Sequence, residues 1–128
     1  MNIFTTNICP IISARNLDDK RLIKMVLESA QLLSSAVFLN SSIIYDDIYK
    51  PTHLKHPCTI WTALNRANWN WLFFHFQALC QEYTYRFNKK HKTANLLVTL
   101  AQYTKCLTRT DNLTPFPNCT KSQILQVD

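Results

Sequence analysis

Apolar residues recur at helical spacing along two long stretches of this chain, and the breaks between them fall at prolines and polar clusters. From about Asn16 or Leu17 to Leu39, hydrophobic side chains, Leu27 among them, fill most of a helical wheel and leave one narrow polar strip. Asn16 can cap this helix, and the acidic residues of its first turn suit the helix dipole. The pattern predicts a long, mostly buried helix.

The second stretch, from Thr59 to about Phe87, is apolar nearly all round. It is therefore predicted to be the central buried helix, rich in aromatic residues. Pro57 can occupy its first turn, and the polar residues 65–68 can break it.

The remaining segments are predicted to be loops and one shorter helix. Residues 1–9 suit an extended arm that ends at a proline, and residues 40–56 suit a loop. Helical spacing returns at about 93–103, before an irregular C-terminal tail. A chain of 128 residues holds one hydrophobic core. The predicted fold is all-α: one domain over residues 1–128, a compact bundle of about four helices.

Composition narrows the class of protein. Fourteen Lys and Arg against eight Asp and Glu give a net charge of +6, which favours a polyanionic partner. The chain contains no glycine. It therefore has neither the phosphate-cradling loop of P-loop and dinucleotide-binding enzymes nor the serine elbow of hydrolases, and those classes are excluded.

The cysteines and the N-terminus suggest a location. Five cysteines are an odd number without close pairs, which suits a reducing compartment. No charged leader opens the chain, and no stretch is expected to approach the length that spans a bilayer. We expect a protein that is cytoplasmic, in the host cell of a virus, or otherwise intracellular, with no membrane partner.

The first candidate for chemistry is the polar strip of the first long helix. Its members share an arc of roughly 100°: Lys20, Arg21, Lys24, Glu28, Gln31 and Ser35. Because the sequence holds only two glutamates, a carboxylate among three cations suggests a site that binds anions and moves protons. The alternative is an ordinary helix surface on which Lys24 and Glu28 pair four residues apart. Spacing alone favours neither.

A second candidate is the loop of residues 49–57, which can cradle a backbone phosphate and present an imidazole. Its candidate side chains are Tyr49, Lys50, His53, Lys55 and His56. With Cys58 the histidines resemble part of a zinc site, but no second cluster of spaced ligands accompanies them. No metal and no cofactor are predicted.

A third candidate is the mixture of aromatic and basic residues that begins at Trp61. Rings can stack on an exposed base, while Arg66 and the basic turn at Lys89 follow the strand. Core packing explains most of the rings more simply. Exposure of Trp69 and Trp71 would instead favour a protein that binds partners through an aromatic patch.

These segments together resemble a known family. Asp19-Lys20-Arg21-Leu22-Ile23, with Glu28 nine positions after Asp19, is similar to the pyrimidine-dimer DNA glycosylases of the bacteriophage endonuclease V type and their small relatives. The segment from Tyr49-Lys50 to His56-Pro57, followed by Trp61, resembles the Tyr-Lys-x-His-Pro element of those relatives. The likeness covers roughly the first 90 residues.

The resemblance implies a helical protein that binds double-stranded DNA and excises damaged or modified bases as a glycosylase, with AP-lyase activity where an amine is the nucleophile. In that family an amine attacks the sugar C1′, a Schiff base forms, and a glutamate on the first helix supports the reaction. By position that glutamate is Glu28. The nucleophile stays open between the amine of Met1, Lys20 or Lys24, and water, and His56 is a further catalytic candidate.

Two positions beside Glu28 depart from the family pattern. The arginines that flank the glutamate in dimer-specific enzymes fall on Leu27 and Gln31, so the sequence does not identify the lesion. The alternative to an enzyme is a non-catalytic, basic nucleic-acid-binding or phage counter-defence protein. Its DNA affinity would fall steeply with salt and change little in a Glu28→Gln variant.

Overall fold

The computed structural model of the chain describes residues 2–117, and within that range it is built from helices and loops without a strand. The α-helices are α1 (Pro10–Arg15), α2 (Asp19–Ser41), α3 (Pro57–Leu64), α4 (Arg66–Phe87) and α5 (Leu97–Ala101). Two 3₁₀ helices, Lys92–Leu96 and Gln102–Cys106, flank α5. Four main helices and a short C-terminal helix confirm the predicted all-α fold class. Met1 and the predicted tail beyond residue 117 lie outside the described residues.

The start of α2 is set by Asp18 and not by Asn16. The Asp18 carboxylate accepts a hydrogen bond from the backbone N–H of Arg21 at 2.8 Å, while the Asp18 backbone is extended. This is the geometry of an N-cap. Asn16 instead follows the last residue of α1. The prediction of Asn16 as the cap is therefore wrong, because a second polar residue stood closer to the first helical turn.

Pro10 begins a helix rather than ending an extended arm. Proline suits the first helical position, since its missing N–H would have no partner there. The indole N–H of Trp71 donates to the carbonyl of Ile8 at 2.7 Å, and Nδ1 of His75 lies 3.0 Å from the carbonyl oxygen of Pro10. A helix this short depends on such tertiary contacts. Its sequence spacing alone could not reveal it.

The core lies between α2 and α4, which run antiparallel. Near the start of α4 the indole N–H of Trp69 donates to the carbonyl of Leu33 at 3.1 Å, and near its end Arg86 reaches Asp19 at 3.1 Å. Trp69 is fully buried and Trp71 is 6% exposed. This confirms α4 as the central buried helix and removes the aromatic patch that a partner-binding protein would need at these tryptophans.

Asn65 separates α3 from α4, within the stretch predicted to break. Its side chain accepts a hydrogen bond from the N–H of Asn68 at 2.8 Å and so caps α4. Residues 107–117 form an irregular tail that packs over both helices, with the ring of Phe116 lying 5.1 Å from that of Trp61. The tail therefore closes one side of the core.

The apolar composition of α2 has a structural cause. By length and composition α2 could cross a membrane, with a mean hydropathy of 1.5 over its most apolar window, so the expectation that no stretch approaches that length is wrong. However, 61% of that window is buried inside the protein, where α2 packs against α3 and α4. Its hydrophobic residues are those of a core helix.

Candidate active site

The open strip of α2 consists of the exposed residues Lys20, Ile23, Lys24 and Leu27. Glu28 lies at its edge, beside Lys24. The Lys24 Nζ atom is 3.7 Å from the Glu28 Oε2 atom, and their side chains are 67% and 13% exposed. Arg21 pairs instead with Asp18 at 2.8 Å, and its guanidinium lies 5.4 Å from the ring centroid of Phe4. The pairing of Lys24 with Glu28 that the alternative of an ordinary helix surface includes is thus present, whereas Arg21 has an acidic partner of its own.

Two serines attach the basic loop to α2. The Oγ of Ser34 accepts the backbone N–H of Tyr49 at 3.3 Å, and the Oγ of Ser35 accepts that of Thr52 at 3.0 Å. Ser35 is buried and lies two turns after Glu28 on the same face of α2. The loop therefore crosses α2 just beyond the acid. Sequence reasoning missed this role, although two adjacent serines inside an apolar helix were a signal of it.

His56 caps α3, which begins at Pro57 as predicted. Its Nδ1 atom accepts the backbone N–H of Cys58 at 3.1 Å, so the neutral ring carries its proton on Nε2. Burial lowers the pKa of His56 and nearby positive charges, including His53, lower it further, whereas Glu28 raises it. The imidazole is therefore a neutral hydrogen-bond donor at physiological pH, within electrostatic range of Glu28.

The N-terminal segment reaches the same corner. The Asn2 Oδ1 atom accepts the N–H of Ile3 at 2.9 Å and the thiol of Cys58 at 3.6 Å. Ile3 is completely buried, which anchors the segment. Asn2 therefore lies beside the first turn of α3, and Phe4 lies against Arg21 of α2. Between these two contacts the segment runs along the side of α2 that carries Glu28.

The basic turn of residues 88–92 is joined to the loop. The hydroxyl groups of Tyr49 and Thr93 lie 3.1 Å apart. Lys89, like the other lysines of this turn, is exposed, and so are Lys50 and Lys55 of the loop. Two lysine-bearing segments that are distant in sequence therefore meet beside α2.

Arg66 has a different environment. Its Nε–H donates to the carbonyl of Leu107 at 2.9 Å, and its backbone N–H donates to that of Arg109 at 2.7 Å. The guanidinium holds the C-terminal tail against the start of α4. A contact between Arg66 and substrate stays a prediction.

The surface around Glu28 suits a polymeric substrate better than a metal or a small molecule. Among residues 2–117, no three His, Cys, Asp or Glu side chains lie close enough together to hold a metal ion. A cavity of about 460 Å³ lies between α1 and α4, where Ile11, Arg15 and Tyr85 line it, away from Glu28. The acid instead borders an open strip with lysine-rich segments beside it.

A partly buried carboxylate on an open basic surface, carried by a small helical bundle, suits a polyanionic partner. Residues 1–95 match the family model described as pyrimidine dimer DNA glycosylase. The chain belongs to the pyrimidine dimer DNA glycosylase family, which confirms the resemblance. Family membership indicates a base-excision glycosylase and AP lyase with DNA as its substrate. No curated protein and no solved structure gives a significant match.

Proposed function

We propose that this chain is an active DNA glycosylase with lyase activity on double-stranded DNA, and that Glu28 is its catalytic carboxylate. One observation carries the proposal: the Glu28 side chain is only 13% exposed, lies 3.7 Å from the Lys24 ammonium and is within electrostatic range of His56. Cys58, two residues after His56, contacts the N-terminal segment. A carboxylate there can stabilise positive charge that develops on the sugar as the bond to the base breaks.

Lyase activity needs an amine, and we propose the α-amino group of Met1 first and the Lys24 Nζ second. The contact of Asn2 with Cys58 supports the first, and the 3.7 Å separation between Lys24 and Glu28 supports the second. The amine nitrogen bonds to C1′ as the glycosidic bond breaks and the base leaves with a proton. The C1′–O4′ bond then opens, O4′ takes up the proton that the nitrogen loses, and the Schiff base results. Neutral His56 can donate a hydrogen bond or transfer a proton nearby.

The phosphates would be held by side chains on the open strip and the two basic segments. The proposed contacts are Lys20, Arg21, Gln31, Tyr49, Lys50, His53, Lys55 and Lys89. Exposure of the lysines supports this role, since such contacts release counterions from DNA.

Borohydride trapping tests the catalytic proposal. Wild type, incubated with ultraviolet-damaged and abasic duplexes, is expected to nick them and to form a covalent complex when the imine is reduced. Glu28→Gln is expected to lower turnover by about 10²- to 10⁴-fold while duplex binding persists. Glu82→Gln is the matched control, because Glu82 pairs with Arg86 on α4 and should not affect trapping.

The outcomes separate the alternatives. Intact DNA with wild type and Glu28→Gln alike, together with salt-dependent binding by both, would leave the non-catalytic DNA-binding protein as the better description. Release of the damaged base by wild type that leaves an unbroken abasic strand and no trapped complex would indicate water as the nucleophile. Mass spectrometry of the trapped complex identifies the linked amine. The Lys24→Arg variant should lose trapping only if Lys24 supplies that amine.

We also propose that the protein works in the cytoplasm, in a cell or in the host cell of a virus. No disulfide joins any two of Cys9, Cys58, Cys80 and Cys106, which agrees with a reducing compartment. Detection of the tagged protein in an oxidising compartment, with these cysteines joined in disulfides, would contradict the proposed location.

A further inference from the structure

Two aliphatic side chains lie on the open strip of α2, beside the acid. Ile23 is 45% exposed and Leu27 is 38% exposed. They are four residues apart, so they lie next to each other on the helix surface. Leu27, expected among the buried positions of this helix, directly precedes Glu28, and the exposed Lys20 and Lys24 border the pair.

The surrounding elements leave this part of α2 uncovered. The loop crosses α2 at Ser34 and Ser35, and the 3₁₀ helix Lys92–Leu96 packs against α2 as well. Ile23 and Leu27 precede the crossing by two turns or more. Ile23 and Leu27 therefore form a small apolar patch on a surface whose neighbouring segments are basic.

We propose that Ile23 and Leu27 form a wedge that packs into the base stack of a bound DNA duplex beside the target nucleotide. The inference rests on the proposed function. Charge selects the occupant: a duplex offers phosphates to the lysines at the border and apolar base faces to the residues between them. An apolar protein partner would leave those lysines without acidic groups.

The wedge answers a requirement of the reaction. Glu28 has to approach a sugar whose base is stacked and paired, and freeing that nucleotide requires unstacking. Aliphatic side chains that enter a base step unstack it and kink the duplex. Leu27, about 100° around the helix from Glu28, meets the stack when Glu28 approaches the sugar.

A comparison of two substrates tests the wedge. One carries the lesion in a fully paired duplex, and the other carries it opposite a gap, where the nucleotide is unpaired and costs less to unstack. The double variant Ile23→Ala/Leu27→Ala is expected to excise from the paired duplex at least about tenfold more slowly, yet to stay within about twofold of wild type on the gapped one. Ile23→Leu/Leu27→Met, which keeps two aliphatic side chains, should restore the rate.

A fluorescent base analogue, 2-aminopurine, placed next to the lesion gives a readout independent of turnover. Its fluorescence is expected to rise when wild type binds and to stay low with the double alanine variant. Ile12→Ala on α1 and Val98→Ala on α5 are matched controls, because both residues are exposed aliphatics on other faces. Neither should alter the signal.

The failures are distinguishable. Equal loss on paired and gapped substrates, or no loss on either, would overturn the wedge while leaving the glycosylase intact. Absence of excision by wild type on every substrate would instead defeat the proposed function, and unchanged 2-aminopurine fluorescence on wild-type binding would defeat the wedge as well.

Discussion

The backbone N–H of Thr52 donates to the hydroxyl of Ser35 at 3.0 Å, and this hydrogen bond fixes the basic loop to the helix that carries Glu28. Ser34 accepts the N–H of Tyr49 in the same way while its own hydroxyl donates to the carbonyl of Ala30 at 2.8 Å. Side chains of α2 therefore set the distance between loop and acid.

Ser35→Ala should loosen the loop. It leaves the N–H of Thr52 without its acceptor at a partly buried position, which costs about 1–3 kcal/mol in the free energy of unfolding. Excision should slow as the loop residues lose their fixed position. Urea unfolding and excision rates check both effects. Ser41→Ala is the control, since Ser41 makes a similar bond to the N–H of Ile43 at 3.2 Å at the exposed end of α2. Equal effects of the two variants would contradict the role of Ser35.

Arg86 should be a main contributor to stability. Its side chain is 18% exposed, and its guanidinium donates to Glu82 at 2.8 Å, to Asp19, and to the carbonyls of Leu17 and Arg15. Arg86→Ala leaves these acceptors unpaired and should cost about 2–3 kcal/mol. Arg86→Lys should recover only part, because an ammonium cannot reproduce the fork.

Arg109 offers the comparison for Arg86. It pairs with Asp111 at the surface, where both side chains are more than half exposed. Arg109→Ala should therefore cost less than about 1 kcal/mol. Thermal or urea unfolding of the two alanine variants measures the difference, and similar losses would show that the α1–α2–α4 junction does not depend on Arg86.

The sequence predicted what depends on local pattern and missed what depends on distant partners. Helical spacing was enough for α2 and α4, and the break at Asn65 followed from its polar neighbours. Pairing of Lys24 with Glu28 also follows from spacing. Two adjacent serines in an apolar helix signal a polar contact, but spacing does not give their partner, because the bond from Thr52 to Ser35 joins two elements through a loop of irregular geometry. The sequence likewise placed Leu27 among buried positions, since a helical wheel does not show which arc other elements cover.

His75 should make stability depend on pH. Burial lowers the pKa of this imidazole to about 4, although its bond to the carbonyl of Pro10 raises it in part. The unfolded chain binds the proton below about 6.5, whereas the native ring stays neutral down to about 4. The stabilisation is therefore complete above 6.5 and is lost as the pH falls towards 4, by up to about 1.4 kcal/mol per pH unit.

The His75→Gln variant isolates this effect. Glutamine can still donate to Pro10 but does not titrate, so the variant should lose less stability than wild type between pH 6.5 and 4. Unfolding free energies measured across that interval give the two slopes. Parallel slopes would mean that another group, such as His56 or His91, causes the acid sensitivity.

The lysines of the two basic segments should carry the salt dependence of DNA binding. Each lost phosphate contact reduces the slope of log affinity against log salt by about 0.9. Lys50→Ala, Lys55→Ala and Lys89→Ala should each lower the slope in this way for damaged and undamaged duplexes alike. Arg15→Ala is the control, since Arg15 lies on α1 and lines the cavity between α1 and α4. Fluorescence anisotropy at several salt concentrations measures the slopes, and an unchanged slope in all three lysine variants would place the duplex elsewhere.

The tail should matter to the fold although the family match ends at residue 95. Phe116 is 8% exposed and packs against Trp61 and against Trp71 at 4.7 Å, while the indole N–H of Trp61 donates to the carbonyl of Thr114 at 3.3 Å. Phe116→Ala should lower the free energy of unfolding by about 3 kcal/mol, because it opens a cavity between two tryptophans. Phe74→Ala, at a position 52% exposed, removes the same ring with a much smaller loss. Urea unfolding compares the stability of the two variants. Because Trp61 follows the His56 cap by little more than one turn of α3, the excision rate of Phe116→Ala should fall as well. A stable and fully active Phe116→Ala variant would show that residues 107–117 are dispensable for the site.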